Sequence, residues 1–160
     1  GKVDLSEDVL KTLDIAIASI HIPCFRDERT VENVTAAYEN VMENPYVDII
    51  GHPDDGRFPV DMKRLVSKAK KTGTLLEVNN SSLRPEGFRE NTKENCLRMV
   101  KECKEQGVMI VLGSDSHVDA DIAEYPYAEE ILRETDFPEE LVANVSLEKL
   151  KACIKHGKKL

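Results

Sequence analysis

One repeated pattern limits what this chain can fold into: a short apolar run followed by an amphipathic segment with helical spacing. It recurs about five times at a spacing of roughly 30 residues, with runs that start near positions 15, 47, 74, 108 and 142. Apolar runs without polar alternation are typical of strands covered on both faces, and strands that alternate with helices are typical of βα units. The sequence therefore predicts an α/β fold in which parallel strands alternate with helices.

The fourth apolar run, residues 108–112, leads directly into Gly-Ser-Asp-Ser-His. In an extended chain, residues two apart point to the same side, so Asp115 and His117 can converge on one spot. A carboxylate paired with an imidazole suits zinc, manganese or iron. A second interpretation stays open at this point: Asp115 or Ser116 caps a following helix, and His117 is solvated.

Polar residues also close the other apolar runs. His21 and His52 each end a run shortly before a proline, and Glu77 and Asn79 lie at the end of the third run. Because the carboxyl ends of parallel strands share an edge, where α/β folds place their sites, we expect these residues near the Asp-x-His pair. Two roles remain open for Glu77. An inward-facing side chain would orient a metal-bound histidine, whereas an outward-facing side chain would pair with a lysine.

Length and charge narrow the function classes. A chain of 160 residues suffices for one domain with a core, and a net charge of −8 argues against broad contact with nucleic acid or anionic lipid. No apolar run approaches the roughly 20 residues that span a bilayer, and the polar, acidic first residues do not resemble a signal peptide. The four cysteines form no Cys-x-x-Cys pair, so we expect reduced thiols and a cytoplasmic protein with no membrane partner.

Several basic residues lie on predicted loops at the same end of the sheet as the histidines. They are Arg57, Arg84, Arg89 and Lys93. Each can bind phosphate through charge-assisted hydrogen bonds, but a single loop cation is more often a solvated surface charge. We therefore interpret each as a surface residue, and the substrate-binding residues stay unknown.

Five motifs follow one another in a distinctive order. They are Ser-Ile-His-x-Pro at 19–23, Ile-Ile-Gly-His-Pro at 49–53, Leu-Glu-Val-Asn-Asn-Ser-Ser at 76–82, Leu-Gly-Ser-Asp-Ser-His at 112–117 and Asn-Val-Ser at 144–146. In this order they resemble the C-terminal half of the PHP (polymerase and histidinol phosphatase) family, and in particular its single-domain phosphatases. Any one motif is weak, but the ordered set is specific and covers nearly the whole chain.

This resemblance implies a fold and a chemistry. The fold is the C-terminal part of a distorted seven-stranded βα barrel, similar to a TIM barrel, with a trinuclear site for divalent metals at the C-terminal strand ends. Zinc is the first expectation, with manganese or iron as alternatives. By position, His21 and His52 help to hold one metal, whereas Asp115 and His117 serve the others. The implied reaction is hydrolysis of a small phosphate monoester by metal-activated water, without a protein nucleophile.

The chain departs from the family pattern in its first part. The His-x-His pair of the first strand, two further histidines and a bridging glutamate of the third strand have no match here. The one remaining histidine, His156, is expected at the surface of the last helix. Because the chain begins with Gly1 and lacks these motifs, we expect residues 1–160 to be the C-terminal portion of a PHP-type domain. The expected partner is the missing N-terminal half of the barrel or another copy of the chain.

Two functions from different classes fit this sequence. In the first, the chain is part of a metal-dependent phosphoesterase and is inactive alone, because four ligands cannot fill three metal sites. In the second, it is a non-catalytic fold unit or a degenerate homologue that binds ligand or metal without hydrolysis.

Overall fold

A computed structural model describes residues 2–155 and shows four parallel strands that alternate with helices. The elements in chain order are α1 (Glu7–Leu10), β1 (Ile17–Ala18), α2 (Val31–Met42), β2 (Ile49–Ile50), α3 (Met62–Thr72), β3 (Leu75–Asn79), α4 (Thr92–Gln106), β4 (Ile110–Gly113), α5 (Pro126–Thr135) and α6 (Leu147–Cys153). The strands lie in the order β1-β2-β3-β4, and every neighbouring pair is parallel. The predicted α/β class is confirmed. A sheet in which each strand joins its predecessor is compatible with a segment of a barrel, and the complete barrel stays a prediction.

The local sequence explains where the helices begin and end. The side chains of Thr30, Asp61 and Ser146 each accept a hydrogen bond from the backbone N–H three residues later, and so cap α2, α3 and α6. Helices α3 and α4 end at Gly73 and Gly107, both with φ +68°. Glycine adopts this left-handed conformation without the cost that a side chain adds.

The sequence-based prediction of a fifth strand at residues 142–145 is wrong. Two short 3-10 turns, Glu139–Leu141 and Ala143–Val145, take its place, and only one parallel bridge joins Ile110 to Val142. The side chain of Asn144 explains the difference. It accepts a hydrogen bond from the backbone N–H of the residue at position 112 at 3.0 Å and donates one to the carbonyl of the same residue at 2.9 Å, so a side chain satisfies the edge of β4 where a strand was expected.

Two other local predictions also need correction. Strand β1 covers two residues rather than the whole run of residues 15–22. The sequence Asn-Thr-Lys-Glu at 91–94 predicts a capping box at the start of α4. The box does not form, because Asn91 has a left-handed backbone and its side chain makes no capping hydrogen bond.

The sheet packs apolar side chains on both faces. The larger cluster fills the space between the sheet and helices α2 to α5, and its strand residues include Ile50, Leu76 and Val78. A smaller cluster on the opposite face contains Ile49 and Leu75. Because side chains alternate along a strand, the residues at positions 77 and 79 of β3 share this second face. The carboxyl end of the second face is therefore polar.

Strand β1 forms an open edge of the sheet. Its Ile17 side chain is 59% exposed, which is unusual for a strand residue of this type. A cavity of about 540 Å³ lies between β1, α2 and the N-terminal segment, and it extends to His21. The cavity lining is largely apolar, so this edge presents the kind of surface that other polypeptide normally covers.

The remaining expectations concern cysteines, membranes and the C-terminus. The four cysteines are free thiols, as predicted, and Cys96 and Cys103 are buried on the inner side of α4. Within residues 2–155, no helix is long and apolar enough to cross a membrane. The predicted surface position of His156 lies outside the described residues.

Candidate active site

The carboxyl ends of β1 and β2 bring the first two predicted ligands together. His21 follows β1 by three residues, and His52 follows β2 by two. Because the two strands are parallel and paired at Ile17 with Ile49, both loops leave the sheet at the same edge. The two imidazole rings meet edge to face, with their centroids 4.9 Å apart.

The imidazole of His52 is suited to bind a cation. Its residue is 6% exposed, and its Nδ1 atom has no hydrogen-bond partner among the described residues. Burial, followed by the positive charges of Arg89 and His21, lowers the pKa of His52 to about 4. His52 is therefore neutral near pH 7, the form in which imidazole binds metals.

Asp115 lies two residues after β4 and has an unusual backbone. Its φ of +48° and the φ of +33° at His52 are both left-handed, which is uncommon and costly for residues other than glycine. The Asp115 carboxylate accepts a hydrogen bond from Arg89 at 3.1 Å, and its negative charge acts to raise the pKa of both His52 and Glu77. The capping interpretation is wrong, because the next α-helix starts only at Pro126.

His117 occupies a different position from the other predicted ligands. Its ring is exposed, and its Nδ1 lies 3.0 Å from the backbone oxygen of Asp115. Within residues 2–155, no group of three or more His, Cys, Asp or Glu side chains has a geometry that could hold a metal ion. The structure thus joins His21 to His52 and places Asp115 in electrostatic range of His52, while the four-ligand set stays a prediction.

Glu77 takes the inward position of the first sequence-based alternative, but it contacts the backbone of His52 and not its ring. Its side chain is turned inward and buried, and Oε2 accepts hydrogen bonds from the backbone N–H of His52 at 2.7 Å and from Asn79 Nδ2 at 3.1 Å. Burial raises the pKa of Glu77, and the hydrogen bonds oppose that shift. The carboxylate therefore supports the strained backbone of His52 rather than its ring.

Gly113 creates the space that Glu77 occupies. A Cβ atom at this position would lie 2.8 Å from Cδ of Glu77 and closer still to Oε1. Such contacts are far below van der Waals distance, so any side chain at position 113 would displace the carboxylate. The glycine of the Gly-Ser-Asp-Ser-His motif is thus explained by the packing of a neighbouring strand.

Two buried aspartates after β2 were not predicted. Asp55 accepts a hydrogen bond from Arg57 Nε at 2.9 Å and another from its Nη2, whereas neither carboxylate oxygen of Asp54 has a partner among the described residues. Burial raises the pKa of Asp54 to about 7. No sequence signal distinguishes such a residue, because aspartate in a loop next to proline and glycine is usually solvated.

Arg89 corrects the interpretation of the basic loop residues. Its side chain is 7% exposed and contacts groups that follow three different strands. Arg57 and Arg89 both lie over the ring of Phe88, at 5.0 Å and 5.3 Å from its centroid, while Phe88 itself is 74% exposed. The site therefore has a buried cationic group and an exposed aromatic rim.

The charges and donor atoms of this edge fit a cation. Carboxylates outnumber arginines here, and two imidazoles lie beside them: the acidic groups are Asp54, Asp55, Glu77 and Asp115, and the arginines are Arg57 and Arg89. Nitrogen and oxygen donors of this kind suit zinc, manganese or iron. The unpartnered Nδ1 of His52 is a donor that a metal would satisfy, so the residues fit one side of a metal site.

Comparison with known proteins gives a consistent but partial picture. The chain is 47% identical over all its 160 residues to a protein named "Probable phosphatase" from Clostridium novyi. It is 42% identical to one from Acetivibrio thermocellus and 40% identical to one from a Thermoanaerobacter species, each over 99% of the chain. The chain spans 64% of the length of each of these relatives. No protein-family model matches the chain.

The contact between Gly113 and Glu77 predicts the effect of Gly113→Ala. The added methyl group should expel the carboxylate and leave the His52 amide without its acceptor, at a cost of roughly 3 kcal/mol in the free energy of unfolding. Gly107→Ala is the matched control. It meets no atom within 4 Å and should cost only about 1 kcal/mol of backbone strain. Urea denaturation measures both, and equal losses would show that Glu77 needs no such space.

The buried carboxyl of Asp54 predicts a pH dependence of stability. A carboxyl whose pKa rises from 3.8 to about 7 on folding destabilises the protein as pH rises through that interval. Asp54→Asn should therefore gain stability relative to the original chain by roughly 3 kcal/mol between pH 5 and pH 8. Comparing the two proteins cancels the opposite contribution of His52, whose pKa falls on folding.

Asp55→Asn provides the control for this measurement. Although burial acts to raise the pKa of Asp55, the hydrogen bonds from Arg57 leave it lowered, so the relative stability of this variant should not change between pH 5 and pH 8. Unfolding free energies from urea titrations at several pH values give the result. A constant difference between Asp54→Asn and the original chain would contradict the assignment of a raised pKa.

Proposed function

We propose that this chain carries part of the active site of a metal-dependent, PHP-type phosphoesterase that hydrolyses small phosphate monoesters. The observation that carries the proposal is the contact of His21 with His52 at the carboxyl edge of the parallel sheet, with a buried, unpartnered Nδ1 on His52. The names of the similar proteins support the phosphatase class. The ordered motifs of the sequence support the PHP type.

The predicted ligands and Glu77 would have different roles. His21 and His52 would hold one divalent cation, and Asp115 with His117 would contribute to the others. Bound divalent cations would neutralise the charge of a phosphate ester and make a water molecule acidic enough to attack phosphorus. Glu77 holds the backbone of His52, and burial keeps the His52 ring neutral, so that it is ready to donate an electron pair.

The open edge of β1 supports a proposal about partners. Ile17 is exposed there, and the apolar cavity beside it reaches His21. The relatives are longer than this chain, so we propose that polypeptide corresponding to their further residues covers the edge and completes the metal site. Such a segment would both bury Ile17 and supply the further metal ligands.

One observation favours a second candidate function. Of the four predicted ligands, the structure brings His21 and His52 into contact and leaves His117 exposed, an arrangement that fits a unit that binds a ligand or metal without hydrolysis. The two functions differ in turnover, which an assay can measure directly.

The test is hydrolysis of p-nitrophenyl phosphate by this chain and by the complete product of its gene, each with zinc or manganese after treatment with a chelator. We expect turnover by the complete product and little or none by residues 1–160 if they are only a part of it. In the complete product, Asp115→Asn should lower activity by roughly 100-fold, because a neutral amide is a much weaker metal ligand, and should leave the fold intact.

Asp121→Asn is the matched control, since it neutralises an aspartate of the same loop that pairs with Arg84 and is not one of the predicted ligands. It should keep its activity. If Asp115→Asn retains full metal content and activity, the metal-site proposal fails. If the complete product binds metal and hydrolyses no phosphate ester, the binding function replaces the enzymatic one.

A further inference from the structure

Arg89 differs from the other basic residues of the strand-end loops because its side chain is buried. Only 7% of the side chain is exposed, compared with 38% for Arg84 and 56% for Lys93. Burying a guanidinium is costly unless its donors are paired, so its surroundings must fix it closely. Its position deserves a functional explanation beyond solvation.

The guanidinium of Arg89 spans the ends of three strands. Its Nη1 donates to Ser82 Oγ at 2.9 Å and lies 3.4 Å from Asn79 Oδ1, at the end of β3. Its Nη2 donates to Asp115 Oδ2 at 3.1 Å, beyond β4. Its Nε lies 3.9 Å from Asp55 Oδ2, in the loop after β2. One planar group thus fixes the relative positions of groups from neighbouring loops.

We propose that Arg89 is a positioning residue that holds the carboxylate of Asp115 for cation binding. The inference rests on the proposed function of Asp115 as a metal ligand. Arg89 engages one carboxylate oxygen of Asp115 and is itself fixed by the end of β3. A carboxylate on a left-handed residue with φ +48° has no regular secondary structure to orient it, so this anchor sets its direction.

The neighbouring arginines show why this role belongs to Arg89. Arg57 makes its hydrogen bonds to Asp55, only two residues away, and therefore braces its own loop. Arg84 pairs with Asp121 at 2.7 Å in a half-exposed ion pair. Among these three arginines, Arg89 is the one that bonds to Asp115.

The test is Arg89→Lys in the complete gene product. Lysine keeps the positive charge, but its compact ammonium group cannot reproduce the planar fork that bonds to Ser82 and Asp115 together. We expect the affinity for zinc, measured by calorimetry with zinc alone, to fall by roughly 10- to 100-fold. We also expect kcat for p-nitrophenyl phosphate to fall while KM stays within about twofold, since a positioning residue does not touch the substrate.

Arg84→Lys is the matched control, because it makes the same change in an arginine–aspartate pair of the same loop. Its zinc affinity should equal that of the original protein. An unchanged zinc affinity in Arg89→Lys would overturn the proposal, and a raised KM with unchanged zinc affinity would instead assign Arg89 to substrate binding. If Arg89→Lys does not fold, Ser82→Ala removes one anchor of the guanidinium and should weaken zinc binding in the same direction; an unchanged affinity in Ser82→Ala would then overturn the proposal.

A measurement without metal separates this proposal from the proposed function. Hydrogen exchange at the Asp115 amide should become faster in Arg89→Lys than in Arg84→Lys, because Arg89 holds this loop at Asp115 whereas Arg84 holds it at Asp121. If the original protein binds no zinc but the two variants differ in exchange in this way, the metal function fails and the anchoring of Asp115 by Arg89 stands. Equal exchange in both variants would contradict the anchoring itself.

Discussion

The hydrogen bond from the His52 backbone to the buried carboxylate of Glu77 is the interaction on which the candidate site depends. It joins the end of β2 to the middle of β3 at 2.7 Å and supports a residue whose φ is +33°. It exists only because Gly113 on β4 leaves room for the carboxylate. Strands β2, β3 and β4 therefore determine where one imidazole lies, and that imidazole meets His21 from the loop after β1.

The electrostatics of this edge follow from burial more than from net charge. Burial lowers the pKa of His52 and raises the pKa values of Asp54 and Glu77, so each of these groups is driven toward its neutral form. Buried groups of this kind are stabilised most when a cation binds to them. A divalent cation would reverse the shifts of Asp54 and Glu77, because its positive charge favours the ionised carboxylates, and it would hold the His52 ring in the neutral form that burial already favours.

Much of the fold could be predicted from the sequence, because the spacing of apolar residues and the residue types that begin or end an element are local features. The apolar runs predict the four parallel strands, and Thr30, Asp61 and Ser146 are residue types that favour the cap positions they occupy at α2, α3 and α6. The expected fifth strand failed because Asn144 satisfies the edge of β4 with its side chain. The run Val-Ala-Asn-Val at 142–145 does not reveal such a substitution, because a single asparagine could also occupy the polar face of a strand.

The candidate site could be predicted only in part, because much of it is formed by loops. The register of parallel strands indicated that His21 and His52 would share an edge, and their rings are in contact. The burial of Arg89 and Asp54 could not be predicted, since both lie in loops whose composition is typical of solvent-exposed turns. Their surroundings are set by tertiary contacts between loops, for which a single sequence contains no periodic signal.

Nitrogen NMR of the histidine side chains can show whether His21 and His52 hold a divalent cation together. Zinc would be titrated into the complete gene product labelled with 15N-histidine, and each imidazole nitrogen would be followed separately. The account predicts that Nδ1 of His52 and one nitrogen of His21 shift together at the same zinc concentration, because the rings lie 4.9 Å apart and Nδ1 of His52 has no partner among the described residues. Resonances of both histidines that stay unchanged at saturating zinc would contradict it.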